Sequence, residues 1–134
     1  MKQTGYIHEV ADTDYVMGES SPLTAEVNNP SGDWTAYTPA GEKQNKDYAF
    51  DTQSCTTFSA LNIIETWIKW LDKTGKLSEV QKQALGEFYI DGEFNISDRF
   101  TAIMSGTTKR GNTFRNVWDS IRHHGILPIV TGKL

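Results

Sequence analysis

The residue best suited to chemistry in this sequence is its one cysteine, Cys55, in the run Gln53-Ser54-Cys55-Thr56-Thr57-Phe58-Ser59-Ala60-Leu61-Asn62-Ile63-Ile64-Glu65. There a turn-like stretch gives way to apolar residues at helical spacing, which predicts a thiol at a helix N-terminus. The first turn of a helix carries unpaired N–H groups and a partial positive charge, and both favour thiolate over thiol. A thiolate so held is a nucleophile that needs a base. Position alone leaves a second reading open, because a lone free cysteine often serves as a small buried hydrophobe.

The residues around Cys55 sharpen the choice. Cys55, Phe58, Ser59, Ala60 and Glu65 together form a pattern that resembles the nucleophile helix of the papain-like (cathepsin-type) cysteine peptidases. Upstream, Asp33-Trp34 and then Tyr37-Thr38-Pro39-Ala40-Gly41-Glu42-Lys43-Gln44 is similar to that family's mature N-terminal region. Downstream, Gly111-Asn112-Thr113-Phe114-Arg115-Asn116-Val117-Trp118-Asp119-Ser120-Ile121-Arg122-His123-His124-Gly125-Ile126 resembles the family's glycine-led helix ending in Gly-Ile. The three segments come in the family's order. The stretch from Trp67 to Arg110 adds no further match.

The resemblance implies a fold and a set of roles. The fold is mainly α within an α+β family: the helical left lobe of the papain-like fold over residues 33–134, preceded by a polar arm over residues 1–32. Cys55 is the expected nucleophile, and Gln44 the expected side-chain donor of the oxyanion hole. Gly111, Asn112, Thr113 and Phe114 fall where the family's substrate groove begins, with Thr113 and Phe114 near its side-chain specificity pocket. An apolar substrate preference follows as one expectation, and Phe114 as plain core as the other. Two departures stand out. The spacing from Gln44 to Cys55 is longer than usual, implying an inserted loop through Asn45-Lys46-Asp47-Tyr48-Ala49-Phe50, and Thr56 replaces the family's tryptophan.

The family's second lobe, rich in β structure, carries the catalytic histidine and its asparagine partner. This sequence reaches Leu134 just after the glycine-led helix, so the expectation is that the β-rich histidine lobe is missing here. It would come from a separate chain or have been lost. A thiolate can attack a carbonyl, but the leaving amine must be protonated, which is the histidine's work. Of the three histidines, His123 and His124 fall in the last turn of the predicted helix, about 16 to 18 Å from its groove end at 1.5 Å per residue. That is beyond the reach of proton transfer. Beside Gly125 as the terminating glycine, they are expected to face the negative end of the helix dipole. His8 lies in the arm.

Composition agrees with one small domain. The 134 residues are 37% hydrophobic with a net charge of -4, which gives no electrostatic footprint for nucleic acid or an anionic membrane. No long apolar run is present, and Met1-Lys2-Gln3-Thr4-Gly5 does not open a signal peptide. One cysteine excludes an internal disulfide, and Thr52 stands where the family has its disulfide cysteine before the nucleophile. These features predict an intracellular (cytoplasmic) or virus-particle setting without secretion by a signal peptide. No metal-ligand spacing is present, and no cofactor is called for.

The elements that must position these residues are mostly helices. Phe58, Leu61, Ile64, Ile68 and Leu71 predict a helix from Ser54, as N-cap, to about Leu71, ended by Lys73-Thr74-Gly75-Lys76. Ser78 through Leu85 and Ser97 through Met104 predict two shorter helices opened by serine caps, and Phe114, Val117, Trp118 and Ile121 stripe a last one. Asn28-Asn29-Pro30-Ser31-Gly32 reads as a turn, and strand signals are sparse. Glu65 reads as a solvated or locally hydrogen-bonded side chain, and Trp34 as core. Gly106 through Thr113 nearly spells a phosphate-binding loop, but Asn112 stands where the lysine is required and no strand pattern precedes it. Asn95-Ile96-Ser97 is a formal glycosylation acceptor with no secretory route.

Three function classes follow. One is the nucleophile lobe of a papain-like peptidase, hydrolysing peptide or protein substrates once a second lobe is supplied. Another is a non-catalytic structural protein, such as a virus-particle component, derived from that lobe. The third is a one-lobe module that binds peptides without cleaving them. In each, the face normally covered by the β lobe would be apolar and exposed, which predicts association with a second chain or with another copy.

Overall fold

A computed structural model describes residues 28–39, 41 and 51–129 of the chain. Gln44, His8, the inserted loop over residues 45–50 and most of the arm therefore lie outside the described residues. What is described is mainly α. Its longest element is α1, Cys55–Lys73, followed by α2, Glu79–Leu85, the strands β1, Tyr89–Ile90, and β2, Glu93–Phe94, and then α3, Asp98–Met104, and α4, Phe114–His124.

α1 is 19 residues long, about 28 Å at the helical rise. Its inward face carries Ala60, Leu61 and Trp70 together with the polar Thr56, Thr57 and Glu65, all buried. The expected apolar stripe is present, with Leu61 fully buried and Ile64 and Ile68 packed against the same cluster. The helix stops as the sequence predicts. Gly75 turns left-handed at φ +70. Its N–H donates to the Asp72 carbonyl at 3.0 Å, and that of Lys76 to Leu71 at 2.8 Å. These two bonds are the Schellman closure of a helix C-terminus.

The N-terminus of α1 departs from expectation. Ser54 occupies the N-cap position but makes no side-chain cap, and its hydroxyl donates to the Thr52 carbonyl at 3.2 Å. Its ψ is 12°, where the other caps Ser78, Ser97 and Thr113 are extended at 159°, 97° and 153°. Extended backbone is what aims a cap oxygen at the N–H groups of the first turn. Those three caps are made. Ser78 forms a full capping box with Gln81, Ser97 Oγ accepts from Phe100, and Thr113 Oγ1 accepts from Asn116.

Strand content exceeds what alternation reveals, though only slightly. β1 and β2 pair antiparallel, Tyr89 with Phe94 and Ile90 with Glu93, around Asp91-Gly92. Both turn residues have positive φ, 51° and 84°, as a two-residue hairpin turn of the primed type requires. The hairpin delivers Phe94 to the core, where it joins Leu61 and Ile96. Phe88 stacks on Phe94 at 5.3 Å and Tyr89 meets it edge-on at 5.4 Å.

α1 packs against both α3 and α4. α4 buries Val117 and Ser120 and leaves Trp118 and Ile121 half-buried, while Phe114, expected on the stripe, is 37% exposed at the helix start. Gly125 closes the helix at φ +74, its N–H bonded to the Ile121 carbonyl at 2.9 Å. The chain then returns beside the entry to α3, with the Ser97 N–H on the Leu127 carbonyl at 2.8 Å. No helix among the described residues is long and apolar enough to cross a membrane.

Candidate active site

Cys55 is the first residue of α1 and is half-buried. Its Sγ lies 4.0 Å from Thr56 Oγ1, and its carbonyl accepts from Ser59 Oγ at 2.8 Å. With Ser54 turned away, no hydroxyl from the N-cap covers the first turn beside the thiol. A helix start without its side-chain cap keeps N–H groups for another acceptor.

The next residue ties the thiol to the start of α4. Thr56 is 1% exposed and donates to the Asn112 carbonyl at 3.2 Å, joining positions 56 residues apart. Asn112 is itself 2% exposed, and its amide is fully engaged. Nδ2 donates to the Ser105 carbonyl at 3.0 Å, Ser105 Oγ at 2.9 Å and Thr107 Oγ1 at 3.1 Å. Oδ1 accepts from the Thr113 N–H at 2.8 Å and from Asn116 Nδ2 at 3.1 Å. One buried amide thereby joins the end of α3 to the beginning of α4, as buried polar groups must when they are satisfied.

Gly111, Asn112 and Thr113 are buried behind this junction, and Phe114 is the exposed member of the four. Gly111 closes a tight turn with Thr108, the two exchanging N–H···O bonds at 2.9 and 3.3 Å. Its φ of +94 is a conformation that glycine adopts without steric cost. The run that nearly spells a phosphate loop thus follows α3 and forms this turn, with the Asn112 side chain directed inward.

Glu65 is expected to be solvated or locally hydrogen-bonded; it is buried, and the bond it makes is long-range. It is 2% exposed, and Oε1 accepts from the Ile96 N–H at 2.8 Å across 31 residues. The signal was its spacing, since Glu65 falls four residues after Leu61 on the apolar face. The glutamate on α1 is thus a brace to the segment entering α3. Trp34 is half-buried and joins an aromatic cluster, with ring centroids 6.1 Å from Tyr37, 6.1 Å from Trp67 and 6.0 Å from Trp70. Lys73 Nζ, 3.0 Å from the Ala36 carbonyl, fastens that segment to α1.

A concavity of about 440 Å³ opens on the outer face of α1, lined by Trp34, Thr38, Asn62, Ile63, Thr66 and Trp67. Ile63 is 59% exposed and Trp67 38%. The histidines lie elsewhere. His123 and His124 occupy the last turn of α4, about 14 Å along the axis from its start. His123 Nδ1 donates to the Asp119 carbonyl at 2.7 Å, within its own helix.

Comparison of the chain with protein-family models, curated proteins and solved structures returned no match.

Proposed function

We propose that this chain is the nucleophile lobe of a papain-like cysteine peptidase and hydrolyses peptide bonds when a second chain supplies the histidine lobe. The observation that carries the reading is the Thr56–Asn112 hydrogen bond. It brings two motif segments far apart in sequence, the cysteine helix and the glycine-led helix, together at the thiol.

In the reaction, Cys55 Sγ bonds to the substrate carbonyl carbon. The oxyanion is held by the Cys55 backbone N–H and by the Gln44 amide. An imidazole of the partner takes the thiol proton and delivers it to the departing amine as the C–N bond breaks. Water then attacks the thioester, releasing the acid and restoring the thiol. Of the segment 111–114, the exposed Phe114 borders the substrate, and the buried Gly111, Asn112 and Thr113 shape the turn behind it. The partner covers the face of Ile63, Trp34 and Trp67.

A second reading is a structural or peptide-binding protein that retains the lobe without the chemistry. The position of His123 and His124 at the far end of α4 favours it.

Native mass spectrometry of the protein from its source, before and after a peptidyl epoxide of the papain-directed class, separates the two. The peptidase reading expects a second chain in the complex and Cys55 labelled much faster than free cysteine, with no label in Cys55→Ala. Labelling no faster than free cysteine overturns it in favour of the second reading.

A further inference from the structure

The segment over residues 28–38 is folded mostly on itself. Asn29 Nδ2 donates to the Asp33 carbonyl at 2.7 Å, the Asp33 N–H to Ser31 Oγ at 3.2 Å, and the Thr35 N–H to Asp33 Oδ1 at 2.9 Å. The short 3-10 turn Thr35–Tyr37 has no buried residue. Among the described residues, the hydrogen bonds that this segment accepts from beyond itself come from two lysines of α1. Lys73 Nζ donates to the Ala36 carbonyl at 3.0 Å, and Lys69 Nζ to the Thr38 carbonyl at 3.5 Å. The remaining attachment is aromatic. The Trp34 ring leans on Trp67 and Trp70, which stack on each other at 4.8 Å, and the Lys73 ammonium lies 5.7 Å from the centre of the Tyr37 ring.

Ile63, Trp67 and Trp70 are spaced i, i+4 and i+7, so they share one side of α1. The side of a lone helix is convex. The concavity of about 440 Å³ therefore exists because Trp34 and Thr38 stand as a wall beside Asn62, Ile63, Thr66 and Trp67. Trp70 is 4% exposed, with the Trp34 and Trp67 rings against it and the Lys76 ammonium 4.2 Å from its ring centre.

We propose that residues 28–38 are a detachable strap, clasped to α1 by Lys73 and Lys69 and seated by Trp34. Its release removes the concavity and bares the stripe of Ile63, Trp67 and Trp70 while the core stays folded. Surface hydrogen bonds are individually weak, and segments with few buried contacts open at a lower free energy than the core. The core cluster of Leu61, Phe94 and Ile96 takes no residue from the strap. α1 thus has two alternative outer faces: a pocket with an indole wall when the strap is docked, and an open apolar stripe when it is released. A chain that covers Trp70 must first displace Trp34, so the strap decides which surface a partner meets. The inference goes beyond the peptidase reading and does not rest on it, so either can fail without the other.

Hydroxyl-radical footprinting of the full chain, read residue by residue in a mass spectrometer, tests it. In the wild type, low urea is expected to raise oxidation of Trp70 while Phe94, a buried member of the core cluster, stays protected. Without urea, Trp34→Ala and the milder Lys73→Met, which keeps the length of the stem and removes the ammonium, are each expected to raise Trp70 oxidation several-fold with Phe94 unchanged. Lys73→Arg keeps a charged donor and should label like the wild type. Trp70 and Phe94 becoming oxidised together, in urea or in either variant, would make the segment part of the core's cooperative unit and overturn the proposal. Trp70 labelling that stays unchanged in Trp34→Ala or in Lys73→Met overturns it too.

Discussion

Glu65 Oε1 accepts the Ile96 N–H at 2.8 Å, and both residues are almost wholly buried, at 2% and 0% exposure. This bond crosses from the middle of α1 to the strand-like segment that enters α3, and it lies beside the Leu61–Phe94–Ile96 cluster. It ties the middle of the cysteine helix to the segment that enters α3.

Removing that acceptor should be costly. Glu65→Ala leaves the Ile96 N–H buried with no acceptor from residue 65, for about 1–3 kcal/mol in addition to the lost packing. Glu65→Gln keeps an acceptor oxygen and should lose less. Urea unfolding of the two variants reads the difference. Equal midpoints would show that the hydrogen bond contributes nothing measurable.

The two caps nearest the candidate site should behave oppositely. Thr113 Oγ1 accepts the Asn116 N–H at 3.1 Å, so Thr113→Ala should cost about 1 kcal/mol. Ser54 makes no side-chain cap to α1, so Ser54→Ala forfeits only its bond to the Thr52 carbonyl and should cost less than Thr113→Ala. Thermal denaturation of both variants under one condition decides it.

Asn112 should be intolerant of truncation. Asn112→Ala strips three donor and two acceptor contacts from a residue 2% exposed, leaving the Ser105 carbonyl and the Thr113 N–H without this partner. A loss of at least about 2 kcal/mol is expected. Hydrogen exchange should rise first at the start of α4. Protection unchanged there would mean that the amide network is not what holds that end.

Tyr89 should titrate late. Burial raises its phenol, and so does the hydrogen bond to Asp72 Oδ2 at 3.1 Å, bringing it up to about 12. The folded value lies above the unfolded one near 10. The stabilisation is therefore fully present below about 10 and is lost as pH rises through about 12. Absorbance titration at alkaline pH should show a late-ionising tyrosine that vanishes in Tyr89→Phe.

The outer face of α1 should mediate association. Ile63→Glu puts a charge on a residue 59% exposed beside the concavity, so it should leave the fold intact while weakening any complex. Sedimentation of the wild type and this variant over a range of concentrations measures it. A wild-type chain that remains monomeric at high concentration, alone and with extract from its source, refutes the proposed partner.

Much of this arrangement is legible in the sequence, for local reasons. Ser78 with Gln81, Ser97 before Asp98, and the terminal Gly75 and Gly125 are short-range signals, and each marks a real helix boundary. Leu61, Ile64 and Ile68 mark the buried side of α1 by period alone. The hairpin escapes because strands of two residues hold no alternation, although Asp91-Gly92 between Tyr89-Ile90 and Glu93-Phe94 is a turn signal that residue chemistry makes available. Ser54 has the right residue type and the wrong ψ, which composition does not encode. Asn112 reads as a groove residue in sequence, while its inward amide depends on Ser105 and Thr107 arriving from α3. Glu65 carried a spacing clue that the usual exposure of glutamate masks.

The aromatic cluster has an optical consequence. Trp34, Trp67 and Trp70 lie within 6.1 Å of one another by ring centroid, and they are three of the chain's four tryptophans. Intrinsic fluorescence is therefore dominated by one cluster, in which the buried Trp70 lies against the more exposed Trp67 and Trp34. A partner that seats over Trp67 and Trp34 should move the emission, whereas a small reagent confined to Cys55 should leave it nearly still. Emission for docking and mass for thiol chemistry thus give two independent channels from the unlabelled protein.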